Sequence, residues 1–523
     1  MPDAFGKELK TGDTTMLFLA SKILDYDTAD EIRFLLLEKL REREWTPLIR
    51  SVRLNCYEQA LSAAGQVGEM EQAIAMFARI EDRAPYIRGD LFLLDDHLFS
   101  LVFGDSDSLF TGIRAGIIYE PYLAEPLRRL DAFCQIVSDC LIEAVNEITG
   151  STEGKEQNLR KWRQEQSPAQ SGFERFVTRQ DTDSLYTVVR KETSRERIRA
   201  AELLENHHAR AFLRSARQAF AEGYAARLLA ESTSKPSSFS LDRLVEVGLL
   251  RREVLISCRQ TGHTLLSLPS SAALAVITVS DATCTECGAR IADEKIEEVV
   301  APTHLSSALL DDGAWLVNRL HSILRKMGIP ESEIAIEPPE GSGEAYMMAN
   351  ICNEPFLFAL RDGDLTPAFA RRAIDMQIET DALHLMIIST GIIHNEGRTH
   401  LLSYANRLVR GGREFELIIV DGAEPAASEL GHAIERVSKK AIAEQLCELN
   451  SSLGFSVARL VSARFEMIQR SKKDAALPQL PPAAGSPVAL QDAERTGALL
   501  TFPVVKDERD AEAQATLLLR ERS

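Results

Sequence analysis

The chain has 523 residues, 45 % hydrophobic and 26 % charged, with a formal net charge of −18. At about 100–200 residues per domain, that length suggests roughly three domains with ample apolar side chain to bury. Acidity on this scale excludes a surface that coats nucleic acid, because phosphate is repelled, so any such contact needs a local basic patch.

The N-terminal residues are polar, with Asp3, Lys7, Glu8 and Lys10, and carry no apolar signal-like stretch. Residues 15–150 read as a helical domain. Apolar positions recur at helical spacing from Ala29 to Leu40, and again from Tyr57 to Ile80 and from Glu125 to Ile148. Residues Ser151 to Ser171 are rich in Glu, Gln, Lys and Ser and read as a linker or exposed loop.

A mostly helical stretch follows in which arginines gather: Arg210, Arg214 and Arg217 fall at helical spacing, with Glu202 and Glu205 interleaved before them. A break at Ser232 to Ser238 precedes a short helix at Leu241 to Val247, and Gly248 to Ser257 returns as a turn and strand. Helix, helix, short helix, glycine and strand over 172–257 resembles a winged-helix unit, which implies nucleic-acid contact through Arg210, Arg214 and Arg217, or a packing role.

Residues 258–300 hold two related turns, Cys258-Arg259-Gln260-Thr261-Gly262-His263 and Cys284-Thr285-Glu286-Cys287-Gly288. C-x-x-C-G is a zinc knuckle: the turn aims two thiolates at one ion and glycine tightens the chain behind them. Paired knuckles give a zinc ribbon, but Thr261 stands where a fourth cysteine belongs. Two outcomes stay open: His263 completes a structural Zn²⁺ site with Cys258, Cys284 and Cys287, or the hairpins persist without metal. The other cysteines are isolated, a usage that fits a reducing, cytoplasmic compartment better than a disulfide framework.

Residues 305–470 are expected to form an α/β core with C-terminal helices. Leu316, Leu320, Ile323, Leu324 and Met327 share one helix face, closed by Gly328 and Pro330. Ala345 to Ile351 and Pro355 to Arg361 form a hairpin. Thr366-Pro367 opens a helix, with Thr366 as N-cap. Leu383 to Ser389 and Phe415 to Val420 read as buried parallel strands around a helix from Arg398 to Val409. Helices follow at Ala426 to Leu449 and Phe455 to Arg470. Residues 471–523 are Pro/Ala-rich and read as a flexible tail, with a strand or docking segment at Leu499 to Val505. No stretch has the length and apolarity of a membrane span, and no P-loop is present.

The order hairpin, helix, strand, helix, strand, with "GEAYMMANICNEPFLFALRDGDLTPAFARRA", resembles the PD-(D/E)xK, or restriction-endonuclease-like, superfamily over about 80 residues. The resemblance implies an Asp, a Glu and a Lys that hold Mg²⁺ and the attacking water. Those positions fall on Tyr346, Ala359 and Arg361, and neither Tyr346 nor Ala359 can hold Mg²⁺. The expected fold is therefore a multi-domain chain, α-rich in its N-terminal half, with an α/β restriction-endonuclease-like C-terminal core. Its expected role is recognition or assembly with protein partners, in the setting of a bacterial-type defence or DNA-processing complex. One alternative is a Mg²⁺ nuclease with relocated carboxylates, using Glu344, Arg361, Asp362 and Asp364. Another is a pure protein–protein scaffold.

Overall fold

A computed structural model describes residues 16–52, 88–94, 96–104, 110–150, 158–164, 170–178, 195–221, 240–279, 282–337, 343–450 and 456–476. The expected helix at Tyr57 to Ile80, the break at Ser232 to Ser238, most of the 151–171 linker and the tail from 477, including Leu499 to Val505, lie outside them. The chain divides into two units, Met1–Gln469 and Arg470–Ser523. The described residues form a mixed α/β fold with three mostly antiparallel sheets among them. No described helix is long and apolar enough to cross a membrane.

The first sheet overturns the expectation of a helical domain over 15–150. Strands β1 (Phe18–Leu24), β2 (Gly89–Leu93), β3 (His97–Gly104), β4 (Gly112–Tyr119) and β5 (Arg163–Gln164) form an antiparallel sheet in the order β2-β3-β4-β1-β5. Helices α1 (Asp30–Glu42) and α2 (Pro126–Thr149), both anticipated, cover one face. Ile32, Leu36, Leu37 and Leu40 of α1 pack with Phe92, Phe99, Leu101 and Ile117 of the sheet. The opposite face carries Leu91, Leu98, Val102 and Ile118 and is covered by residues from far down the chain, including Ile442, Leu446, Val457 and Phe465. A sheet covered on both faces has continuous apolar strands with no alternation to betray them. β3 is buried at every position.

Helices α3 (Gln170–Thr178), α4 (Arg195–Leu203), α5 (His207–Ala221) and α6 (Leu241–Glu246) lead into β6 (Leu250–Ser257). β6 pairs antiparallel with β7 (Thr264–Leu268) on one side and β8 (Lys295–Pro302) on the other. Between β7 and β8 lies helix α7 (Ser271–Val279). The boundary expected at 257/258 thus falls within one three-stranded sheet, and the cysteine turns sit at its end.

Helices α8 (His304–Leu310) and α9 (Ala314–Lys326) precede the third sheet. Its strands are β9 (Ile334–Ile336), β10 (Glu344–Ile351), β11 (Glu354–Arg361), β12 (His384–Ser389) and β13 (Glu416–Asp421), in the order β13-β12-β11-β10-β9. β9, β10 and β11 are antiparallel, and β11, β12 and β13 are parallel. Cys352 and Asn353 both take positive φ in the two-residue turn of the β10–β11 hairpin. Helices α10 (Pro367–Thr380) and α11 (Asn395–Arg410) make the parallel crossovers. As expected, the Thr366 side chain caps α10 by accepting from the Phe369 N–H at 3.3 Å, with Pro367 at the first position.

Side chains alternate across this sheet. Met348, Leu357, Ala359, Leu385 and Ile387 face α10 and α11. Met347, Phe356, Phe358, Leu360, Met386 and Ile388 face α9 and the long helix α12 (Glu424–Leu446). That second core also takes in Ala200, Leu204 and Leu213 of the α4–α5 region and Phe18 of β1. The first half of α12 packs in it through Leu430, Ile434 and Val437, while Ile442 and Leu446 reach the N-terminal sheet. Helix α13 (Val457–Ala476) follows.

Candidate functional site

The cysteine turns have the same backbone construction. Cys258 N–H donates to the His263 carbonyl at 2.9 Å and Gly262 N–H to the Cys258 carbonyl at 2.8 Å. In the second turn, Cys284 N–H donates to the Ala289 carbonyl at 2.6 Å and Gly288 N–H to the Cys284 carbonyl at 2.9 Å. Gly262 and Gly288 have φ of 75° and 74°, a conformation that a side chain strains. The first turn is therefore a knuckle in backbone geometry even though Thr261 stands where Cys287 stands in the second.

Its missing ligand does not come from His263. That side chain is 73 % exposed and its Nδ1 lies 3.7 Å from Glu286. The fourth group is Glu294, only 3 % exposed. Donor atoms of Cys258, Cys284, Cys287 and Glu294 all lie within 4.8 Å of one another, a set that can hold a metal ion. Glu294 follows the short 3₁₀ turn Ile291–Asp293, immediately before β8. One carboxylate oxygen accepts the Arg259 N–H of the first knuckle at 2.6 Å, and the other lies 2.9 Å from the Cys287 sulfur. A hydrogen bond to the far oxygen orients a ligating carboxylate. The Cys258 thiol is pulled down to about 7, chiefly by the Thr261 hydroxyl and backbone N–H groups. The Cys287 thiol is pushed up to about 12 by the Glu294 carboxylate beside it. Three thiols and a carboxylate crowded at this spacing suit a cation that takes up their negative charge.

The second candidate region is the edge of the mixed sheet where β11 and β12 end. Tyr346 and Ala359 are direct partners in the β10–β11 register, as are Glu344 and Arg361. Ala359 is fully buried against α10. Glu344 is 5 % exposed, and its carboxylate is held by both Arg361 and Arg372. Asp362 has a side chain only 2 % exposed. It accepts Trp315 Nε1–H at 2.8 Å, the Thr390 hydroxyl at 2.8 Å and Arg214 Nη2 at 2.5 Å. Asp364 accepts the Ile392 N–H at 2.8 Å. Among the described residues these three carboxylates do not converge into a metal-holding group, and Glu344 and Asp362 spend their oxygens on other donors.

Of the arginines expected to meet nucleic acid, Arg210 is buried, while Arg214 and Arg217 keep part of their side chains exposed and are engaged in ion pairs. Arg210 is 5 % exposed, lies over the Trp315 ring at 4.6 Å, and donates to the Leu204 and Glu205 carbonyls. Arg214 pairs with Asp362, and Arg217 with Asp311 at 2.7 Å. They fasten α5 to the α8–α9 corner and to the end of β11. Glu202 and Glu205, interleaved with them in sequence, pair with Arg319 of α9.

No family model, curated protein or solved structure matches this chain.

Proposed function

We propose that this protein is a non-catalytic recognition or assembly protein, built on a nuclease-like α/β core and stabilised by a structural zinc ion. The observation that carries the reading is the state of the acidic groups at the end of β11. Glu344 is neutralised by Arg361 and Arg372, and Asp362 is saturated by Trp315, Thr390 and Arg214. A phosphodiester-cutting site needs carboxylates free to share a hydrated Mg²⁺ ion. Here that free charge is spent on holding helices to the sheet. The order of β10, β11, α10 and β12 supports the resemblance to the PD-(D/E)xK superfamily without its metal ligands. Purified protein incubated with plasmid DNA or RNA and Mg²⁺ is expected to leave both intact. Cleavage that disappears in both Asp362→Asn and Asp364→Asn would establish the relocated-carboxylate nuclease instead.

The internal pairing of Arg210, Arg214 and Arg217 favours a protein partner over nucleic acid. Salt-dependent DNA binding that Arg214→Glu and Arg217→Glu weaken would reverse that preference.

Zinc fits the cysteine cluster on chemical grounds. Three sulfurs at about 2.3 Å and a carboxylate oxygen at roughly 2.1 Å make a closed tetrahedral shell with no open position for substrate. Cys258, Cys284, Cys287 and Glu294 would hold the ion, and its contribution would be folding stability. Elemental analysis is expected to find one zinc per chain, retained in His263→Ala and lost in Cys284→Ser. Loss of zinc from the His263 variant alone would restore the histidine-ligand reading.

A further inference from the structure

We propose that His384 is the proton-carrying element of a latch fastening helix α12 to the mixed sheet. His384, Glu354 and Glu416 stand at the starts of β12, β11 and β13, on the opposite edge from Asp362. The imidazole is 8 % exposed and stacks on the Phe356 ring, with centroids 4.2 Å apart and planes 11° from parallel. Its Nε2 lies 2.6 Å from Glu354 and its Nδ1 3.0 Å from Glu416. A carboxylate can only accept, so a carboxylate at each ring nitrogen selects the imidazolium, which donates from both.

The remaining oxygens of the same carboxylates reach α12. Glu354 accepts Lys440 at 3.1 Å, Glu416 accepts Arg436, and Lys440 also pairs with Glu414. The groups form one alternating row: Arg436, Glu416, His384, Glu354, Lys440, Glu414. They line a cavity of about 230 Å³. With His384 protonated the row sums to zero. Without the proton it carries one uncompensated negative charge, and one carboxylate faces a ring lone pair in a half-buried site.

α12 is the helix that this row holds, and it is also the helix shared between the two larger sheets. A change in the proton on His384 therefore acts on the junction between them. Burial pulls the imidazole down, but Glu354 and Glu416 outweigh it and hold the group above the ordinary 6.5. Because the folded value is the higher one, the latch is fully engaged below about 6.5. It weakens as pH climbs through the raised folded value.

The test is urea stability from about pH 6 to about pH 9 for the full chain and for His384→Gln, with the His384 Cε1–H resonance followed by NMR. The wild type is expected to exceed the variant at low pH, with the gap closing as pH rises. The His384 resonance is expected to titrate above 6.5 and to move down in Glu416→Gln, a variant that also serves if His384→Gln does not fold. Parallel stability curves, or a His384 midpoint at or below 6.5, would overturn the proposal.

Discussion

Glu294 stands beside the cysteine turns where a four-cysteine ribbon would have its fourth thiolate. Cys258, Cys284 and Cys287 were legible because a knuckle writes its ligands at fixed spacing. Glu294 was not, because it arrives from a separate turn and one acidic residue in a charged loop has no distinguishing pattern. Proximity favoured His263 in the sequence, but its position in the first turn points its ring outward. If the first turn is a knuckle lacking only a sulfur, Thr261→Cys should create a four-thiolate site. Glu294→Gln should then lower zinc affinity in the parent but not in the Thr261→Cys background, as a chelator competition would read. Asp362 is equally decisive at this scale. Asp362→Ala removes the counter-charge 4.0 Å from buried Arg210, leaves Trp315 Nε1–H and the Thr390 hydroxyl without their acceptor, and is expected to cost about 3 kcal/mol in urea unfolding. A change under about 0.5 kcal/mol would mean that the arginine contacts are surface-like.

At the level of elements, apolar runs bounded by clear turn and cap signals were readable and those without them were not. The α9 stripe ended by Gly328, the β10–β11 hairpin, the capped α10 and the parallel strands β12 and β13 all lie where their periodicity or apolar runs put them. The N-terminal strands escaped because β3 and β4 are buried nearly throughout and show no polar-apolar alternation, and the regular stripes of α1 and α2 dominated the region around them. The helices covering the second face of that sheet come from over 300 residues away, which no local window detects. Leu446 is fully buried in that distant contact. Leu446→Ala should therefore destabilise by roughly 2–5 kcal/mol, the range for a buried leucine left as a cavity. A loss below about 1 kcal/mol would show α12 to be loosely seated there.

For the whole molecule, the expectation of separate domains meets a chain whose described elements up to Gln469 form one compact unit. Leu204 and Leu213 from the expected winged-helix region share a core with Phe358 and Ile434. α12 then continues that core into the N-terminal sheet. Residues 305–470 expressed alone would expose the apolar face that α4 and α5 cover and the half of α12 that the first sheet covers. That fragment is expected to aggregate or to give poorly dispersed NMR spectra. Trp45, packed on Phe133 of the N-terminal core, and Trp315, buried in another core, report on different parts of the unit. Their fluorescence should change in one coincident unfolding transition. A stable 305–470 fragment, or two separated transitions, would reinstate independent domains.

The sequence alone determined what depends on neighbours in the chain: helix stripes and their caps, the tight hairpin turn, the paired glycine turns and three of the four groups that could hold a metal ion. Only the tertiary structure decided which side chains meet across the chain. It buried Arg210, paired Arg214 and Arg217 with carboxylates, brought Glu294 to the cysteines and laid α12 against two sheets. Charges and apolar faces carry no address in sequence; their partners are fixed only when burial leaves each one a single place to be satisfied.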